Sequence, residues 1–209
     1  LIFVSQKKIN QALKAYEKGI KIDPNFAMIY NNLGLLFYNH LSNIEKAKES
    51  YKKSISLNDK IPEPHTNLGN LYNSENKIIE AIECHKKAIE INPKFSFAHH
   101  NLANVYLSTG KFDEARKSLQ ESVKLNPNLA QAHRSLSRLI KYSKKDSHFI
   151  TLKKLYEKNL SMNTNAKVHL AFALGKAHED MSEFDVSFNY YKEANSLNRK
   201  SISFSIFDE

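Results

Sequence analysis

Residues 62–129 spell one 34-residue pattern twice, 62–95 and then 96–129, with no gap between the copies. Numbered from the start of each copy, position 7 is Leu68 or Leu102, position 8 Gly69 or Ala103, and position 11 Tyr72 or Tyr106. Position 20 is Ala81 or Ala115, position 27 Ala88 or Ser122, position 30 Ile91 or Leu125, and position 32 Pro93 or Pro127. Positions 4, 7, 8 and 11 follow helical spacing, so His99, Leu102, Ala103 and Tyr106 share one apolar face of a first helix. Small residues at positions 8 and 20 let a second helix approach closely, and the proline at 32 stops that second helix from running on. Each copy therefore predicts a helical hairpin. A hairpin alone cannot cover its apolar face, so neighbours must stack into an all-α solenoid.

The small, aromatic and proline positions of these copies resemble those of the tetratricopeptide repeat (TPR), which implies a helical-hairpin solenoid coiled as a right-handed superhelix. The pattern extends both ways. Before it lie a half repeat, with Phe3 at position 11 and Pro24 at 32, and a full unit from Ala27 with Leu33, Gly34 and Phe37 at positions 7, 8 and 11. Ala47, Tyr51, Ser54 and Leu57 arrive one residue late, which places a single insertion in the turn at 41–43, where it leaves both helical faces in register. A fifth unit opens at Ala130, with His133, Leu136, Ser137 and Ile140 at positions 4, 7, 8 and 11, and fails at the basic stretch 143–146. Phe149, Leu152, Leu155, Tyr156 and Leu160 then predict a helix outside the repeat, capped at Ser147, with a polar turn at 161–165. The repeat resumes from Val168 with Leu174, Gly175, Phe184, Ser187 and Tyr191. The expected organisation is thus an array over 1–142, a divergent helix and turn over 143–167, a final repeat over 168–201, and a connection from 202 to 209.

A second resemblance lies in the run from His169 through Phe172, Gly175 and Asp180 to Phe184, followed by Tyr190, Tyr191, Ala194, Asn195 and Arg199. It resembles the junction in bacterial TPR-sulfotransferases between the repeats and the catalytic domain. For the parent protein this implies sulfuryl transfer from 3′-phosphoadenosine 5′-phosphosulfate (PAPS). The chain itself has no means to do so. A phosphosulfate needs clustered backbone N–H groups from a glycine-rich loop, and the five glycines are scattered. No cofactor is expected here, and PAPS would be held only by a domain beyond Glu209. The chain starts inside a repeat and without an initiator methionine, so it reads as a fragment.

Composition narrows function by exclusion. The only cysteine, Cys84, rules out an intrachain disulfide and a cysteine-cluster metal site and suits a reducing, cytoplasmic compartment. No apolar run is long enough to span a membrane. The formal charge of +9 is mostly lysine. With Lys52, Lys53, Lys86 and Lys87 on the outer faces of second helices, it predicts a solvated surface and no specific nucleic-acid partner. Of the nine histidines, His65, His99 and His133 recur at position 4 on the core stripe. Zinc ligands must lie about 2.0–2.1 Å from one ion, whereas stacked helices stand about 8–10 Å apart, so these predict packing and no metal site.

The candidate site lies on the other face of the first helices, at positions 2, 5, 6, 9, 12 and 13, which line the concave groove of TPR proteins. Asn32, Asn67 and Asn101 occupy position 6, and Asn70 and Asn104 position 9. Asparagine is a mediocre helix former, but its amide offers both donor and acceptor to a peptide backbone. The arrangement resembles the asparagine ladder of O-linked N-acetylglucosamine transferases. In the fifth unit, positions 5 and 9 of the same face become Arg134 and Arg138, and their planar donor forks suit an acidic side chain or a carboxy terminus. The sequence therefore predicts a non-catalytic module that binds an extended peptide or a protein.

Overall fold

The computed structural model describes residues 6–158 and 164–201. Among the described residues there are eleven helices and no strand: α1 (Gln6–Ile22), α2 (Ala27–His40), α3 (Ile44–Leu57), α4 (Pro62–Ser74), α5 (Ile78–Ile91), α6 (Ser96–Ser108), α7 (Phe112–Leu125), α8 (Ala130–Ser137), α9 (Ser147–Lys158), α10 (Thr164–Asp180) and α11 (Phe184–Ser201). They form two compact units, one ending at Gly110 and the other starting at Lys111. The expectations for Phe3, for Leu160 and the turn residues 161–163, and for 202–209 fall outside the described residues.

In the first unit α2 pairs with α3 and α4 with α5, while α4 packs on α2, α3 and α6. The small residue at position 8 has a definite task. A Cβ on Gly34 would lie 2.5 Å from the Tyr51 ring, and one on Gly69 would lie 2.7 Å from the His85 ring. Both rings stand at position 24 of their repeats, so the missing side chain seats the ring of the paired helix. Gly175 and Tyr191 repeat this arrangement in the second unit, again at 2.7 Å.

Two kinds of turn recur. Between the helices of a hairpin, one residue takes a left-handed backbone conformation: Ser42 (φ 47°), Asn76 (φ 59°), Gly110 (φ 73°) and Ser182 (φ 59°). Only Gly110 adopts it without a Cβ penalty. Ser182→Gly is therefore expected to raise stability by up to about 1 kcal/mol, read as a higher midpoint in urea.

Between hairpins, an Asx side chain folds the chain. Asp23, Asn58, Asn92 and Asn126 each accept a hydrogen bond from the backbone N–H two residues on, at 2.9–3.1 Å. The carbonyl of the residue just after each Asx is then caught by the position-4 side chain of the next repeat. Tyr30 donates to Pro24 O at 3.1 Å, His65 to Asp59 O at 3.1 Å, His99 to Pro93 O at 3.0 Å and His133 to Pro127 O at 2.9 Å. The recurring histidines thus fasten one repeat to the turn that precedes it. His65 and His133 are buried, whereas His99 is only half-buried.

In the second unit α7 packs on α8, and α10 packs on α8, α9 and α11. The fifth repeat departs from its expected course. Its first helix was expected to carry Ile140 at position 11, but α8 stops at Ser137. The carbonyls released by that early stop have captors: Arg116 Nε donates to Leu139 O at 3.2 Å and Lys176 Nζ to Ile140 O at 3.0 Å. The Tyr142 N–H donates to Asp180 at 2.9 Å, and Asp180 also pairs with Lys176. Ser147 does not cap α9. Asp146 does, accepting from the backbone N–H of His148 at 2.8 Å and of Phe149 at 3.2 Å, because a carboxylate suits a helix N-terminus. Helix α10 begins at Thr164, ahead of Val168, where the repeat pattern resumes. Phe149, Leu152 and Tyr156 of α9 share one buried cluster with Leu170, Leu174 and Ala194.

Candidate functional site

In the first unit the predicted amides lie on α2, α4 and α6, three first helices packed in succession. Asn32, Asn67, Asn70, Asn101 and Asn104 are all half-buried. They are not equivalent. Asn70 and Asn101 make no side-chain hydrogen bond within the described residues, whereas Asn104 meets His100 Nε2 at 3.5 Å. Asn67 donates through Nδ2 to Oδ1 of Asn31 at 2.9 Å, and Asn31 Nδ2 donates to Oδ1 of Asn32 at 3.4 Å. Asn31, at position 5 and 2% exposed, links two of the predicted site residues and was not among them. Its signal in the sequence was the doublet Asn31-Asn32 on one helix.

In the second unit Arg134 is half-buried and Arg138 exposed. The Arg134 guanidinium stacks over the Phe172 ring, 3.9 Å from its centroid, and Nη1 lies 3.5 Å from Nδ1 of His169. Neither arginine forms an ion pair among the described residues. Burial, and then the charge of Arg138, push the Arg134 pKa down from its usual value. Burial and the Arg134 charge likewise push His169 down, leaving it a neutral acceptor. Arg134 thus lies over an aromatic ring, with no carboxylate paired to it among the described residues.

The same unit holds a polar chain that sequence reasoning missed. Because Pro127 O can only accept, His133 donates to it through Nε2 and must accept at Nδ1 when neutral. The donor there is His148 Nε2, at 2.8 Å, and the hydroxyl of Tyr142 then donates to His148 Nδ1 at 2.7 Å. Burial lowers the pKa of His133 and brings His148 down to about 4, so both rings are neutral at neutral pH. The two histidines line a cavity of about 530 Å³ together with Leu136, Ile140 and Thr151. Among the described residues no group of three or more His, Cys, Asp or Glu side chains is placed to hold a metal ion. None of the described helices is long and apolar enough to cross a membrane.

These features define a class: an all-α stack of short hairpins with polar side chains displayed on the first-helix face. Family models for the tetratricopeptide repeat match residues 1–40, 27–61, 62–95 and 96–129 in succession. The chain belongs to the tetratricopeptide-repeat proteins. No curated protein matches it in sequence. Among solved structures it is similar to PilF of Pseudomonas aeruginosa, at 20% identity over 93% of this chain and 91% of that one, with a TM-score of 0.65. It is similar to YrrB, a TPR protein with an unusual peptide-binding site, at 18% identity over 88% and 93% of the two chains, with a TM-score of 0.58. It is also similar to the first TPR domain of Spaghetti (RPAP3), bound there to an HSP90 peptide, at 20% identity over 55% and 92%, with a TM-score of 0.52.

Proposed function

We propose that this chain is a non-catalytic module that binds an extended segment of a partner protein along the first-helix face of α2, α4 and α6. The observation that carries this reading is the pair of half-buried amides, Asn70 and Asn101, with no side-chain hydrogen bond among the described residues. Asparagine in mid-helix sacrifices helix propensity, and an amide offering both a donor and an acceptor matches the repeating N–H and C=O of a backbone. Helices about 8–10 Å apart would meet an extended chain at every third residue or so, given its advance of about 3.3 Å per residue. The peptide-binding TPR structures to which the fold is similar lend support. Taken by itself, the second unit offers the Arg134 and Arg138 pair, which would suit an acidic side chain or a terminal carboxylate.

The test uses a peptide selected from a random displayed library on the folded chain. The triple variant Asn67→Ala, Asn70→Ala, Asn101→Ala is expected to bind it at least about tenfold more weakly, since each net hydrogen bond is worth about 0.5–1.5 kcal/mol. Helical content should stay intact. Unchanged affinity would reject the amide face as the binding surface. For a selected acidic peptide, Arg134→Ala should flatten the dependence of affinity on salt.

A second reading treats this chain as the substrate-presenting or regulatory region of a PAPS-dependent sulfotransferase. It rests on the irregular stretch between α8 and α9 and on the aromatic-rich α11, where Phe184 and Phe188 are 65% and 64% exposed. An assay of sulfuryl transfer from PAPS by the product of the extended reading frame decides it.

A further inference from the structure

We infer that Asn31 is a positioning residue that fixes which backbone group of a ligand each neighbouring amide reads: a carbonyl over α2 and an N–H over α4. The inference rests on the peptide-binding reading above and deepens it. At 2% exposure the Asn31 amide must satisfy both of its ends inside the protein. Its Oδ1 takes the Nδ2 proton of Asn67 at 2.9 Å, and its own Nδ2 donates to Asn32 Oδ1 at 3.4 Å. Each neighbour is thereby turned in one sense. Asn67 turns its nitrogen toward Asn31, spending one of its two N–H groups there, and so keeps its oxygen on the other side, able to accept from a ligand N–H. Asn32 turns its oxygen toward Asn31, filling one of its two lone pairs, and so keeps its nitrogen on the other side, able to donate to a ligand carbonyl.

Asn70 and Asn101 carry no such tie, and their amides can turn to suit whichever group arrives. The face therefore has a part of fixed sense, on α2 and α4, beside a permissive part. A ligand residue lacking an N–H opposite Asn67 should be rejected by the first part, while the same change opposite Asn101 should be tolerated.

The experiment uses the library-selected peptide as probe and replaces its backbone N–H groups one at a time by ester oxygens, which removes the donor with little change of shape. With the unsubstituted chain, one ester position should weaken binding about two- to tenfold. Asn31→Ala should abolish that penalty, because Asn67 is then free to turn. Asn31→Asp should retain it, because the aspartate still accepts from Asn67. A penalty that survives both substitutions, or disappears in both, overturns the proposal.

Should Asn31→Ala fail to fold, exchange of side-chain amide protons in the unliganded protein decides instead. Slower exchange of the Asn31 and Asn67 NH2 groups than of those on Asn70 and Asn101 supports the tie, and equal rates refute it. If no peptide can be selected, the binding reading fails while the exchange measurement still tests the tie itself.

Discussion

Replacing His85 by tyrosine is expected to raise the stability of the first unit at neutral pH by about 1–3 kcal/mol and to remove a large part of its sensitivity to acid. His85 is fully buried, and neither ring nitrogen has a hydrogen-bond partner among the described residues, so folding strips both of water without replacement. A tyrosine fits the same place. Tyr51 and Tyr191 occupy position 24 of their repeats and lie over Gly34 and Gly175 as His85 lies over Gly69.

The pH dependence follows from burial, with His100 adding a smaller push in the same direction, which together lower the His85 pKa from 6.5 to about 4. Above pH 6.5 the ring is neutral both folded and unfolded, and its titration contributes nothing to the pH dependence. Between 6.5 and about 4 the unfolded chain gains a proton that the folded chain refuses, so stability falls with pH. At about 1.4 kcal/mol per unit, the loss reaches about 3 kcal/mol. His148 is lowered to about 4 in the second unit and will destabilise it in the same window. The informative quantity is therefore the difference between parent and His85→Tyr in urea unfolding free energy at pH 7 and at pH 4.5. A difference that stays constant across that interval would mean that His85 is hydrated or hydrogen-bonded in the folded protein.

The hairpins were legible because a repeat writes its packing rules several times over. Position 8 could be read as small from Gly69 and Ala103 before the ring it seats was known. Position 4 illustrates a half-legible signal. The recurrence of His65, His99 and His133 marked a structural role, but their bond to the preceding turn depends on where the Asx-folded turn presents its carbonyl, which spacing alone does not give. Asn31 was hidden for a related reason: its importance lies in a hydrogen bond to Asn67 on another helix. The early stop of α8 was least legible. Ser137, Arg138, Leu139 and Ile140 have acceptable helical chemistry, and the helix ends because Arg116 on α7 and Lys176 on α10 take the carbonyls of Leu139 and Ile140. Tertiary partners decide that boundary, and no local pattern announces them.

Leu152→Ala tests whether the stretch without repeat character is nevertheless part of the core. Helix α9 carries no repeat signature, and a segment merely appended to the array would tolerate truncation of its apolar face. Leu152 is instead fully buried and shares its cluster with Tyr142, Phe149 and Tyr156 and with Leu170, Leu174 and Ala194 from α10 and α11. The hydroxyl of Tyr156 donates to Glu193 of α11, and Glu193 also pairs with Lys167 of α10 at 2.6 Å, so polar bonds close the edge of the same cluster. Removing the Leu152 side chain beyond Cβ should cost about 2–5 kcal/mol, through lost burial and a cavity that such surroundings cannot collapse to fill. The loss should appear as a lower unfolding midpoint of the second unit as a whole, with α10 and α11 losing amide-exchange protection together with α9. A cost below about 1 kcal/mol, or loss of protection confined to α9, would show that α10 and α11 hold together without it. The final hairpin would then be complete in itself, and the stretch from 138 to 158 would be an insertion laid on its surface.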